Sequence, residues 1–186
     1  MKPSAIDISQ ELLRQYDDPV MSNIRRADYI EAVVATALRP AGWSRNSSWA
    51  SWDFQHAQSG CRMELKQSAA RQSWGRTGPA RFDIAPRTGY WDRSGEWHDD
   101  PGRHAHVYVF AWHPERNPSA DQRDPSSWLF YVTPESELPT QKTIGLSVIC
   151  GMAEPCRIGG LPDELVRMAL PGVCAPEVVT GRDLDR

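Results

Sequence analysis

The chain has 186 residues, 40% of them hydrophobic, and a formal charge of −3. That is enough for one domain with a substantial core and too short for a comfortable pair of domains. The charge excludes a globally basic nucleic-acid binder, and no apolar run reaches the length of a membrane span. Four cysteines without a CxxC pair (Cys61, Cys150, Cys156, Cys174) exclude a zinc ribbon or a disulfide framework. With the polar start Met1-Lys2-Pro3-Ser4, these features predict a cytoplasmic protein with reduced thiols, no signal peptide and no membrane contact. There is no internal repeat and no low-complexity tract.

Residues 1–21 form an N-terminal arm with a short helical pattern from Ile8 to Tyr16, stopped by Asp17-Asp18-Pro19. A longer helix is predicted from Ser22 or Asn23 to Leu38, ended by Pro40 and Gly42. Its apolar stripe is Ala27, Ile30, Val34, Ala37 and Leu38. Glu31 lies beside that stripe, where it reaches inward from the edge of the core. The alternative is that Asp28-x-x-Glu31 is a capping box, which starts the helix at Tyr29 and makes Glu31 structural. Arg25 and Arg26 read as solvated surface, with phosphate contact as the alternative. Trp43 to Trp49 is a short strand and turn.

Trp52 to His56 and Cys61 to Gln67 then read as two strands of a hairpin around Gln58-Ser59-Gly60. With Ser59-Gly60 as a two-residue turn, Gln58 faces Cys61, and Asp53 lies opposite Lys66 and diagonal to Glu64. Alternation puts Trp52, Phe54, Met63 and Leu65 on an apolar face and Asp53, Glu64 and Lys66 on the other. A slip of one residue scatters both sets. Two carboxylates and an amine on one face are costly unless a cation compensates. Hard oxygen ligands suit Mg²⁺, with Mn²⁺ as a substitute, completed by water and substrate phosphate. Such an ion polarises a phosphoryl oxygen and acidifies a bound water that the lysine orients or deprotonates, as phosphodiester hydrolysis requires. The plainer alternative is a solvated strand face with cross-strand ion pairs.

The order helix-Glu31, strand-Asp53, hairpin, Glu64-Leu65-Lys66 resembles the PD-(D/E)XK nuclease superfamily, which includes restriction endonucleases, Holliday-junction resolvases and repair and defence nucleases. The resemblance spans Ser22 to Gln67, with a plausible continuation of the sheet to about Val132. Trp52 stands where that family's name-giving proline would be. The resemblance implies an α/β fold of the restriction-endonuclease-like kind, a mixed β-sheet core flanked by α-helices, over residues 22–172. It implies that Asp53, Glu64 and the backbone carbonyl of Leu65 hold Mg²⁺, that Glu31 helps hold metal-bound water, that Lys66 activates the attacking water, and that the products carry 5′-phosphates. DNA is the expected substrate, with RNA as the alternative, and a homodimer is the expected assembly of a double-strand cutter.

Beyond the hairpin, Ser68 to Trp74 starts a helix or a loop at the mouth of the site. Residues 68–103 form a long insertion rich in Arg, Trp and Gly, with a short strand at Arg81 to Ile84. Arg71, Arg76, Arg81 and Arg87 are the candidate nucleic-acid contacts, since arginine with tryptophan suits backbone charge and base stacking. From Ser22 to Arg93 there are 11 Lys and Arg against 6 acids, a local excess of +5. The alternative is a structural insertion pinned by buried Trp91 and Trp97, and Asp83 is a reserve carboxylate. Val107 to Trp112 has the continuous apolar character of a central strand covered on both faces. His104 and His106, on one strand face, lack a third ligand for a transition metal. Trp128 to Val132 is the next strand, Ile144 to Ile149 a further strand or extended segment, and Leu161 to Leu170 a closing helix. Residues 173–186 form a polar tail. The expected function is that of a Mg²⁺-dependent endonuclease acting on DNA; the competing reading is a catalytically silent nucleic-acid-binding or assembly module on the same fold.

Overall fold

Arg26, Ile30, Val34 and Leu38 recur every four residues, which places them on one face of helix α2 (Asn23–Leu38), and that face is buried. The computed structural model describes residues 2–46, 50–75, 79–91 and 95–168. Helix α1 (Ala5–Arg14) precedes α2 and begins before the expected Ile8, because Ser4 and Asp7 form a capping box: the Ser4 N–H donates to Asp7 Oδ2 at 2.7 Å and the Asp7 N–H to Ser4 Oγ at 3.2 Å. It buries none of its residues. In α2, by contrast, Asp28 lies inside the helix, so Asp28-x-x-Glu31 is not its capping box. Gly42, at φ +82°, ends the turn that follows α2, a conformation that suits glycine and aims the chain into the sheet.

Strands β1 (Trp43–Arg45), β2 (Phe54–His56) and β3 (Arg62–Ala69) pair in antiparallel succession. The chain then leaves the sheet through three short strands, β4 (Arg81–Asp83), β5 (Tyr90–Trp91) and β6 (Trp97–His98). It returns as β7 (Val107–His113), parallel to β3, and then β8 (Leu129–Pro134), antiparallel to β7. The five-stranded mixed sheet has the order β1-β2-β3-β7-β8. Every residue of β7 is buried, as its unbroken apolar run predicts for a central strand. Strand β9 (Thr143–Gly145) pairs with β4, and α3 (Leu146–Ile149) follows it directly, so the Ile144 to Ile149 segment is strand only at its start. Helix α4 (Leu161–Met168) comes last. The chain is thus a mixed α/β fold, and among the described residues no helix is long and apolar enough to cross a membrane.

Two cores sandwich the sheet. On one face Phe54, Met63, Leu65, Val109, Phe130 and Val132 pack with Ile30 and Val34 of α2 and Leu161 and Leu165 of α4. On the other, Tyr108, Phe110 and Tyr131 pack with Phe82, Ile84, Ile144 and Ile149. The long stretch before β7 therefore supplies part of the second core. Trp91 and Trp97 do not pin it from within: they are 42% and 43% exposed and pack edge-on against each other.

The hairpin register differs from the expected one. Phe54 pairs with Met63, and the His56 N–H donates to the Cys61 carbonyl at 2.8 Å, so residues 57–60 form a four-residue loop. A shift of two residues leaves every face unchanged, which is why Met63 and Leu65 still point to the core and Glu64 and Lys66 away from it. The Asp53 N–H also donates to the Met63 carbonyl, at 3.0 Å, so Asp53 and Phe54 both oppose Met63. That is a β-bulge. It breaks the alternation and sends Trp52 into the second core, away from Phe54.

Candidate active site

Beyond the bulge, β2 no longer offers β3 a backbone partner, and Asp53 fills the gap with its side chain. Its Oδ2 accepts the Leu65 N–H at 2.7 Å. Asp53 therefore faces Met63 and reaches Leu65 rather than standing opposite Lys66, and its carboxylate lies at the edge of the ladder. In a strand, N–H and C=O of one residue point to the same side, so the Leu65 carbonyl is directed to the edge where Asp53 sits.

One step along β3 on either side of Leu65, Glu64 and Lys66 project from the other face. Lys66 Nζ donates to Glu64 Oε1 at 2.5 Å, with the two side chains 19% and 12% exposed. Burial, with Glu64's charge and then that of Glu31, pushes the Asp53 carboxyl up to about 7, against the lowering effects of the Leu65 N–H and Lys66. The three residues thus form one electrostatic unit, with Asp53 partly protonated near neutrality.

Tyr108 of β7 is Glu64's neighbour across the parallel ladder. Burial and Glu64's charge raise its hydroxyl well above the ordinary range, which keeps it a neutral donor. Beneath lies Arg103, whose guanidinium donates to the carbonyls of Ile84 at 2.7 Å and Pro139 at 2.5 Å and pairs with Glu135 at 3.3 Å. Glu64, Lys66, Asp83, Arg87, Arg103 and Tyr108 line a cleft of about 10 Å³, room for a single water.

A wider groove of about 440 Å³ opens on the other side of Lys66, which with Asp83 lines both spaces. Arg26 forms part of its floor. This side chain is 1% exposed and donates to Gln67 Oε1 (2.5 Å), Asn23 Oδ1 (2.7 Å) and Gln72 Oε1 (3.1 Å). It is not a solvated surface residue; burial brings its guanidinium down to about 10.

The remaining predicted residues fall in different places. Glu31 makes an ion pair with Arg45 of β1, and its charge reaches Asp53. Arg81 is exposed at the wide groove, and Arg87 at the narrow cleft lies 4.0 Å from Asp83. Arg71 contributes its carbonyl to Gln122 Nε2 at 2.9 Å. Arg76, Arg93, part of the Trp43 to Trp49 segment, the last residues of the closing helix and the polar tail lie outside the described residues. His106 accepts the Arg62 N–H at 2.9 Å, while His104 packs on Tyr90 with its Nε2 unpartnered. Among the described residues no group of three or more His, Cys, Asp and Glu side chains is placed to hold a metal.

Tyr108 and Arg103 are not among the sequence candidates, and Arg26 stands there as solvated surface with phosphate contact as the alternative. Only Arg26 carries a sequence signal, its four-residue spacing from Ile30, Val34 and Leu38. Comparison of the chain with protein-family models, with curated proteins and with solved structures finds no match.

Proposed function

We propose that this chain is a metal-dependent nuclease that hydrolyses phosphodiester bonds of DNA, in the manner of the PD-(D/E)XK superfamily it resembles. The observation that carries the reading is the close grouping along three consecutive residues of β3: Lys66 on Glu64 at 2.5 Å, and Asp53 held on the intervening Leu65 N–H at 2.7 Å by a bulge. Bulges recur beside active sites, where they re-aim a side chain.

The residues present fit a hard divalent cation. Two carboxylates are the number Mg²⁺ commonly takes from a protein; burial first and Glu64's charge second hold Asp53 up to about 7, and a cation relieves the second of these. Asp53, Glu64 and the Leu65 carbonyl would hold Mg²⁺ or Mn²⁺, with Glu31 acting through water. When bound, the ion supplies polarisation of a phosphoryl oxygen and acidification of water. Lys66, beside those ligands, would orient the attacking water and stabilise negative charge on the phosphoryl group. Arg81 and Arg87, at the two openings beside Lys66, meet flanking phosphates.

The test is incubation with labelled single-stranded, duplex and junction DNA and with RNA, with and without Mg²⁺ or Mn²⁺, beside Lys66→Ala and Asp53→Ala. Metal-dependent cleavage lost in both variants supports the reading. Intact substrates throughout, with no Mg²⁺ binding by calorimetry, overturn it in favour of a silent binding module.

A further inference from the structure

The wide groove beside Lys66 has three properties that the hydrolytic trio does not require. Its wall carries Trp74, which is 62% exposed although tryptophan is ordinarily well buried. Among the described residues its lining charge is one-sided: Arg26, Arg81 and Lys66, the last paired with Glu64, stand against Asp83. Arg26, which also lines it, is a buried cation whose hydrogen-bond partners among the described residues are all uncharged amides. A buried charge without a counter-ion is costly, and an anion entering the groove offsets that cost. The first turn of α2 reaches the groove through Asn23 and has no side-chain cap, which adds the positive end of a 16-residue helix.

A volume of about 440 Å³ is within the ordinary range of small-ligand clefts. An exposed indole takes a base by stacking only when that base is not already stacked in a duplex. We infer that the groove between the start of α2, the end of β3 and β4 binds an unpaired nucleic-acid strand, with a base on Trp74 and the adjoining phosphate on Arg81 beside Lys66. This deepens the nuclease reading and rests on it only for the consequence that the strand is led past Lys66 to the trio. Since Lys66 lines both openings, a strand seated in the groove has its backbone next to the narrow cleft.

The experiment separates the two readings by working in EDTA, where metal-dependent cleavage is silent. A fluorescein-labelled 12-nucleotide DNA strand, the same sequence as RNA, and the DNA duplex are titrated with the full chain and followed by anisotropy. Either single strand is expected to bind at least tenfold more tightly than the duplex. Trp74→Ala weakens it about 5- to 100-fold, the range set by base–aromatic stacking, and Trp74→Phe restores most of the loss. Arg81→Ala weakens binding and flattens the salt dependence by about one ion. Equal affinity for duplex and single strand, or wild-type affinity in both variants, overturns the inference. Single-strand binding in EDTA without cleavage in Mg²⁺ or Mn²⁺ keeps the groove and removes the nuclease. Cleavage with unchanged binding in Trp74→Ala does the reverse.

Discussion

Asp53 takes the Leu65 N–H on its carboxylate at 2.7 Å while its own N–H is held by the Met63 carbonyl at 3.0 Å. One side chain thus closes the end of a strand ladder and sits in the field of Glu64 and Glu31. The structural task would be met equally by an uncharged acceptor. Burial of the charge and repulsion from two carboxylates are added costs, and both raise the pH at which Asp53 gives up its proton.

Asp53's carboxyl is raised from 3.8 to about 7 in the folded chain. Between those values the folded state binds more protons than the unfolded one, so stability falls as pH rises through that window and is greatest below it. Asp53→Asn keeps an acceptor for Leu65 and removes the titration. In EDTA its Tm is expected to change less than that of the wild type from pH 4.5 to 7.5 and to exceed it at pH 7.5. Mg²⁺ at millimolar levels raises the wild-type Tm at pH 7.5 and leaves Asp53→Asn unmoved. Parallel pH profiles for the two proteins would show that Asp53 does not titrate in this range.

The sources of that repulsion are ranked. Glu64 acts on Asp53 more strongly than Glu31, and Lys66 opposes both. Carbon-detected NMR of the Asp53 carboxyl is expected to show a lower midpoint in Glu64→Gln, a smaller decrease in Glu31→Gln, and a rise in Lys66→Met. Arg45→Ala removes the cation paired with Glu31 and gives a small rise. An unchanged midpoint in Glu64→Gln would mean that burial alone sets the value.

Arg26 serves the fold as well as the groove. Truncation to Ala leaves a void beneath α2 and strips the amides of Gln67, Gln72 and Asn23 of their shared donor. Lost packing and unsatisfied buried acceptors together cost roughly 2–4 kcal/mol. For a chain of this size that is a Tm lower by about 4–16 °C, measured by circular dichroism. Arg26→Met keeps the volume and is expected to lose about half as much. A Tm within 2 °C of wild type in Arg26→Ala would show that the guanidinium's burial cost cancels its contacts.

How much of this was legible in the sequence depends on the range of the interaction. The alternation of Met63 and Leu65 against Glu64 and Lys66 is a local property with a period of two, and it survives even the two-residue error in register. The central strand is legible for the same reason, because an apolar run from Val107 onward has no polar face to give to water. The bulge at Asp53 is different: whether two residues oppose Met63 depends on hydrogen bonds that form only once the strands meet, and the side chain of Trp52 follows from it. Arg26 was misplaced because charge outweighs spacing in a local reading, whereas Gln67 and Gln72, some 40 residues on, make its burial tolerable. Tyr108 and Arg103 reach the cleft through the parallel pairing of β3 with β7 and the path of the chain before it, which no short-range pattern encodes.

Tyr108 gives the last expectation. It pairs with Glu64 across the ladder and lines the narrow cleft with Lys66, so under the proposed nuclease reading its hydroxyl would serve as a donor to the phosphoryl group. Burial first, and Glu64's charge second, raise that hydroxyl well above the ordinary range, so it stays protonated. Tyr108→Phe preserves the ring that packs on Phe110 at a centroid distance of 6.0 Å, so the fold is expected to keep its Tm within a few degrees. Loss of one donor to developing charge slows the chemical step by roughly 10- to 1,000-fold, read as kcat for Mg²⁺-dependent cleavage at saturating substrate. The same variant leaves single-strand affinity in EDTA unchanged, because Tyr108 does not line the wide groove. A fall in affinity with kcat intact would make Tyr108 a binding residue instead, and no change in either would make it a packing residue of the second core.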